Sequence, residues 1–150
     1  LPDFVNMLTS HSRVLIADND AELRRQLYSR LLELDVYSDC VADGKVALQF
    51  LRDRSYAMVI LDLTIAKVEA LKIIEGIGEL PPERRPMILA TTGSDGRPSL
   101  DSELVQIVLR KPFSLEDVSA IIRSCIVSVR EAREPRGGGA IVSDRREARP

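Results

Sequence analysis

VLIADND (14–20) and AMVILDL (57–63) share one pattern, a short unbroken apolar run closed by an aspartate. Runs of four or five β-prone residues without alternation are expected of strands buried on both faces of a parallel sheet. Between them, AELRRQLYSRLLEL (21–34) sets Leu23, Leu27, Leu31 and Leu34 at helical spacing. A weaker strand follows in VYSDCVA (36–42), with Val36, Cys40 and Val41 as its apolar members. KVALQFLRD (45–53) then carries Val46, Ala47, Phe50 and Leu51 on one helical face. Beyond the second aspartate, VEALKIIEGIGEL (68–80) offers Leu71, Ile74, Ile77 and Leu80 for a helix, although Gly76 and Gly78 each cost about 1 kcal/mol against Ala. MILAT (87–91) and VQIVL (105–109) are two further strands, and Val118, Ile121, Ile122, Cys125, Ile126 and Val129 stripe a last helix. Strands alternating with helices predict an α/β fold, a doubly wound parallel sheet with helices on both faces. One connection departs from this pattern. In TGSDGRPSLDSEL (92–104), Gly93, Gly96 and Pro98 oppose helix, so a helix there is expected to be short or irregular, starting near Ser99 or Leu100.

The chain has 150 residues, 45% of them apolar, enough for one domain with a sizeable core. Lys and Arg number 21 against 23 Asp and Glu, and a net charge of −2 makes no case for gripping nucleic acid. No apolar run approaches the roughly 18 residues of a membrane span. Two cysteines and one histidine cannot build a Cys₄ or Cys₂His₂ zinc site or a disulfide framework. Cys40 and Cys125 are therefore expected to be buried thiols of a cytoplasmic protein, and the start LPDFVNMLTSHSR lacks the pattern of a secretory signal. The expected organisation is a flexible lead over 1–11, one domain over 12–129 and a disordered tail over 130–150. That tail holds three consecutive glycines and six Arg against four acids, a net of +2. It reads as a solvated tail or a severed linker, with too few apolar residues to fold as an output domain. His11 is taken as incidental.

In open parallel sheets, ligands bind beyond the carboxyl ends of the strands, where loops and helix N-termini converge. The first strand ends in Asp18-Asn19-Asp20, the third in Asp62 and the fourth in Thr91-Thr92, and the fifth runs into Arg110-Lys111-Pro112. Asp20 or Asn19 can serve as a helix cap, Thr91 can satisfy turn backbone, and Lys111 can be a solvated charge. Asp62 is harder to dismiss, since it follows five apolar residues directly. Two carboxylates ~4 Å apart repel by about 4 kcal/mol at an effective dielectric near 20. A divalent cation such as Mg²⁺ would neutralise that cluster and hold phosphoryl oxygens, with Lys111 as a second positive charge and Thr91 as a hydroxyl donor.

With VLIADND, VADGKVALQFL, AMVILDL, PMILATT and VLRKPFSLEDV in order, the chain resembles the receiver domains of two-component response regulators over residues 12–128. The Lys111-Pro112-Phe113 tripeptide, Asp62 after an apolar strand and Asp18 make the most specific set. The resemblance implies a flavodoxin-like sheet of five parallel strands in the order 2-1-3-4-5. It implies that Asp62 accepts a phosphoryl group from a phosphohistidine, that Asp18 and the position of Asn19 hold Mg²⁺, and that the carbonyl of Thr64 is a further metal ligand. Thr91 then matches the switch hydroxyl and Lys111 the lysine that contacts the phosphoryl group. Implied partners are a histidine kinase or phosphotransfer protein and a downstream protein.

Departures from the pattern matter as much. Asn19 stands where a second acid usually ligates the metal, so weaker Mg²⁺ binding is expected. Ile65, Ala66 and Ala70 replace residues usual in the following loop, and Val108 replaces an aromatic that moves with the switch hydroxyl. The leading expectation is a phosphoacceptor receiver of single-domain type, not an enzyme, signalling through protein contacts. It carries a mechanism in which phosphorylation draws Thr91 inward and repositions residues 92–101. The alternative is a pseudo-receiver, a scaffold of the same fold that works without phosphorylation. A flavodoxin-like cofactor binder has no Gly-rich loop after the first strand and no tryptophan in its favour.

Overall fold

A computed structural model describes residues 13–93 and 103–133. Strands β1 (Val14–Ala17), β2 (Ser38–Val41), β3 (Met58–Asp62), β4 (Met87–Thr92) and β5 (Val105–Arg110) form one parallel sheet in the order β2-β1-β3-β4-β5. Helices α1 (Ala21–Glu33), α2 (Gly44–Asp53), α3 (Lys67–Glu79) and α4 (Leu115–Arg133) connect and flank it, with a 3₁₀ turn at Pro82–Arg84. The expected fold class and strand order are both present. The expected short helix between β4 and β5 falls mostly on 94–102, outside the described residues, as do the lead 1–11 and nearly all of the tail. The last helix runs to Arg133, past the boundary drawn at residue 129. The Arg-Glu-Ala-Arg run there consists of good helix formers and needs no apolar stripe to continue the turn.

Alternation along the buried strands divides the core in two. Leu15, Ala17, Val59 and Leu61 face Ala47, Leu51, Ile73 and Ile77 of α2 and α3. Val14, Ile16, Met58 and Ile60 face Leu27 and Leu31 of α1 and Val118 and Ile122 of α4. Helix starts are set by short polar side chains, as N-cap chemistry requires. Asp20 accepts from the amides of Glu22 and Leu23, and Asp43 from those of Lys45 and Val46. Ser114 Oγ accepts from Asp117 N at the start of α4.

Four expected core positions are corrected. On α3, Leu71 is exposed and the buried stripe is Ala70, Ile73, Ile74 and Ile77. Adjacent Leu and Ile positions fit two helical faces about 100° apart, and packing on the sheet selects one. Val46 is exposed on α2 for the same reason. Cys40 is exposed, because β2 lies at the sheet edge with one side of the strand open, and Cys125 is only partly buried. Gly76 has a packing role: a Cβ there would come within 2.7 Å of Leu48 Cδ2, so its missing side chain lets α2 and α3 close together.

Candidate functional site

Strand register assembles the rim. Ala17 pairs with Leu61, which sets Asp18 level with Asp62, and Asp62 pairs with Thr91. Thr92 pairs with Arg110, and Lys111 N donates to Thr92 O at 2.8 Å, carrying the ladder one residue beyond β5. Asp18 and Asp62 are each 1% exposed, and so is Thr91. Lys111 reaches in from the rim, its side chain 25% exposed. Its Nζ donates to Asp18 Oδ2 at 3.1 Å and to Asp62 Oδ2 at 3.3 Å. The Lys111–Pro112 peptide is cis.

The remaining carboxylate oxygens are held locally. Asp20 N donates to Asp18 Oδ1 at 2.8 Å, and Thr64 donates to Asp62 Oδ1 from its amide at 2.9 Å and its hydroxyl at 2.8 Å. On the far side of the first loop, Arg24 Nη1 donates to the Asp18 carbonyl at 2.6 Å. Burial pushes the Asp18 carboxyl above its ordinary range, and the charge of Asp62 adds to that. The Asp20 amide and Lys111 oppose the shift without cancelling it. Burial draws the Lys111 ammonium down, but Asp18 and Asp62 outweigh it and leave the group above its ordinary value. Two buried carboxylates and one ammonium thus leave a site of net charge −1 that is short of positive charge.

All four strand-end residues singled out from sequence, Asp18, Asp62, Thr91 and Lys111, meet at this rim. Asn19 and Thr64 flank it and are exposed, while Asp20 is the helix cap. The Thr64 hydroxyl was missed, although Asp-x-Thr is a spacing at which a side chain turns back on its neighbour. Arg24 was missed too; it lies one helical turn beyond Asp20, within reach of the loop it closes. Thr91 Oγ1 is buried and has no hydrogen-bond partner among the described residues. Such groups are rare in folded proteins and point to a missing ligand or a functional role.

The donor set suits Mg²⁺. The residues that would hold it are hard oxygen donors only: the carboxylates of Asp18 and Asp62, with the Asn19 side chain and the Thr64 carbonyl on the flanking loops. Among the described residues no three His, Cys, Asp or Glu side chains come together. The chain would therefore give two carboxylates and leave other positions to backbone and water, as Mg²⁺ commonly accepts.

Sheet order and acidic rim together resemble those of the receiver domains of two-component response regulators. A scan against protein-family models finds no match. The chain is 34% identical over 120 residues to the transcriptional regulatory protein CpxR homolog of Haemophilus influenzae, covering 77% of this chain and 50% of that protein. It is 21% identical over 117 residues to the response regulator receiver protein CpdR of Brucella abortus, covering 77% of this chain and 98% of that protein. A CheY-like response regulator receiver domain from Methanospirillum hungatei superimposes with a TM-score of 0.69 at 22% identity, over 81% of this chain and 98% of that one. The chain spans about half the length of the first curated relatives it matches.

Proposed function

We propose that this receiver takes a phosphoryl group onto Asp62 from a histidine kinase or phosphotransfer protein, with Mg²⁺ as cofactor, and signals in the cytoplasm through protein contacts. One observation carries the reading: two buried carboxylates share a single lysine beside a buried threonine hydroxyl that lacks a partner among the described residues. A purely structural ion pair gives no reason for that orphaned hydroxyl.

In the proposed step, an Asp62 carboxylate oxygen attacks phosphorus as the bond from phosphorus to the donor breaks. The donor leaves with the electron pair, an imidazole nitrogen from phosphohistidine or acetate from acetyl phosphate. Mg²⁺, when bound, would spread the charge on the phosphoryl oxygens. The chain's own part is positioning and charge. Thr64 fixes Asp62 through Oδ1, Lys111 offers positive charge on the Oδ2 side, and Thr91 offers a hydroxyl donor. Transfer to a carboxylate asks little more of a protein, and we assign the chain no enzymatic turnover of its own. The test is mass spectrometry of purified protein with Mg²⁺ and acetyl phosphate. Gain of one phosphoryl mass, absent in Asp62→Asn, supports the reading.

Asn19 favours a second reading. With no acid at position 19 and Lys111 already bridging Asp18 and Asp62, the chain would act as an unphosphorylated scaffold. Failure to gain mass at millimolar Mg²⁺, with partner binding intact, would select it.

A further inference from the structure

We propose that the outer edge of β2 joins two copies of this chain, strand against strand across a two-fold axis, into one continuous sheet. Such pairing needs no phosphoryl transfer at Asp62.

The edge is open in its backbone. Among the described residues β2 pairs with β1 alone. The carbonyls of Tyr37 and Val41 accept from Val14 N and Asp18 N, so Ser38 and Cys40, which alternate with them, turn their backbone groups outward. Natural edge strands are commonly guarded by lysine, proline or a covering element. Ser38–Val41 holds neither Lys nor Pro, and its one charge, Asp39, is taken up by Arg13, Arg54 and Tyr56.

The flanks of that edge are apolar on both faces of the sheet. Among the described residues six large apolar side chains are exposed, and four of them, Tyr28, Leu32, Tyr37 and Val46, border this edge. Helix α1 lies over β1 and β2 on one face. One flank of α1 sends Arg30 to Glu116 of α4, and on the other the charge of Arg24 is felt at Cys40. Tyr28 and Leu32 follow Arg24 at successive turns and so overhang the β2 side. Helix α2 lies over the same two strands on the opposite face. Its Gly44 and Leu48 meet α3, while Phe50 stacks on Arg54, which bonds Asp39 of β2. Val46, one turn before Phe50, shares the flank toward the edge.

Both faces together select the occupant. A chain segment laid along β2 would add a strand but nothing to cover the side chains on either face. A second copy brings a strand and both helices. Strands lie about 4.8 Å apart, so α1, seated between β1 and β2, has its axis about 5 Å from the two-fold. The two α1 helices then run antiparallel about 10 Å apart, the distance at which helices pack, and the two α2 helices do the same. Arg24 is level with Cys40. Two strand residues back, about 7 Å, match four helix residues on, about 6 Å, so Tyr28 is level with Ser38. A register centred on Ser38 therefore brings the two Tyr28 rings together and sets Asp39 opposite Tyr37 instead of its own like charge. Tyr28 at 43% and Tyr37 at 58% exposure leave about 150–250 Å² open between them. Leu32, Val46 and the strand edge extend this toward the small end of specific interfaces, for which a dissociation constant of about 10–100 µM is expected. Because the paired strands are antiparallel, the two acidic rims point in opposite directions and both stay open.

Sedimentation equilibrium of the full chain from about 1 to 500 µM tests this, and the mass should rise from one chain toward two. Tyr28→Glu sets two carboxylates together at the axis and should weaken association about tenfold or more, with the melting temperature of the dilute chain unchanged. Tyr28→Lys should do the same. An equimolar mixture of the two variants should regain the dimer that neither forms alone, because position 28 of one copy meets position 28 of the other. Val108→Glu, on the far edge strand β5, should leave the native mass unchanged. A single-chain mass at every concentration overturns the proposal, whether residues 1–12, which join the sheet at Arg13 beside β2, or nothing at all covers the edge. A dimer that survives both Tyr28 substitutions, a mixture that stays monomeric, or a dimer lost in Val108→Glu overturns it equally.

Discussion

Lys111→Met removes the ammonium but keeps an unbranched apolar side chain at the rim. In the native chain Nζ lies 3.1 Å from Asp18 Oδ2 and 3.3 Å from Asp62 Oδ2. At an effective dielectric near 20, each attraction is worth about 5 kcal/mol before desolvation is charged against it. Removing one member of a buried ionic group leaves the others uncompensated, at a net cost of about 3–5 kcal/mol. That is a large share of the roughly 5–15 kcal/mol that holds a domain folded. The effect has a pH signature. Asp18 is already raised above its ordinary 3.8, by burial first and by Asp62 next, and Lys111 is one of the groups opposing the shift. Without the lysine, the folded-state value rises further. A raised carboxyl contributes stability that is present below 3.8 and lost as pH climbs through the folded value. The deficit of Lys111→Met should therefore be full at neutral pH and shrink on acidification as Asp18 takes up its proton. Lys111 itself, raised above 10.5, gives the native chain stability that is complete below that value and lost only as pH rises through the folded value, and the variant lacks this alkaline limb. Urea unfolding followed by far-UV circular dichroism at several pH values reads all of this. A variant with the native midpoint at neutral pH, or a deficit that grows on acidification, would refute the reasoning.

Asn19→Asp should tighten Mg²⁺ binding several-fold in calorimetry, since it adds one negative charge beside Asp18; unchanged affinity would place Asn19 outside the metal site. At the opposite end of the sheet, Asp39 accepts from Arg13, Arg54 and the buried Tyr56 hydroxyl, the last at 2.6 Å. Asp39→Ala should cost about 2–3 kcal/mol, because it orphans Tyr56. Burial raises the Asp39 carboxyl, but Tyr56, Arg54 and Arg13 outweigh it and the net shift is downward. Its stabilisation is accordingly present above 3.8 and lost only as pH falls through the lower folded value, so native and variant midpoints should converge in strong acid. Two glycines should respond differently to Ala. At Gly44 a Cβ would meet Glu69 Cβ at 2.6 Å and disturb the bond from Gly44 N to Glu69 Oε2, costing about 1–3 kcal/mol. At Gly76 only the end of the Leu48 side chain is in the way, and a gain of about 1 kcal/mol in helix propensity should leave thermal unfolding nearly unchanged.

The rim was legible in the sequence because each of its members ends an apolar run. Asp18 follows VLIA, Asp62 follows MVIL, Thr91 follows MILA, and Lys111 comes two residues after VQIVL. In a parallel sheet all those ends point the same way, so linear position becomes spatial proximity without further information. Helix phase was less legible. Leu71 and Ile74 fit a stripe as well as Ala70, Ile73 and Ile77 do, and only the neighbouring sheet and the Gly76–Leu48 contact choose between them. The Asp39 cluster could not be read at all, since Arg13, Arg54 and Tyr56 lie 26, 15 and 17 residues from it and no local spacing marks them. Cys40 was misread because hydrophobicity does not reveal which strand forms a sheet edge. The orphaned state of the Thr91 hydroxyl likewise depends on what packs around it, not on its place in the chain.

Borohydride reduction after treatment with acetyl phosphate and Mg²⁺ converts an aspartyl phosphate to homoserine, which peptide sequencing then locates. Homoserine at position 62 and nowhere else is the predicted outcome. Its appearance at position 18 or 20, or its absence everywhere despite intact folding, would contradict the assignment of Asp62 as the acceptor.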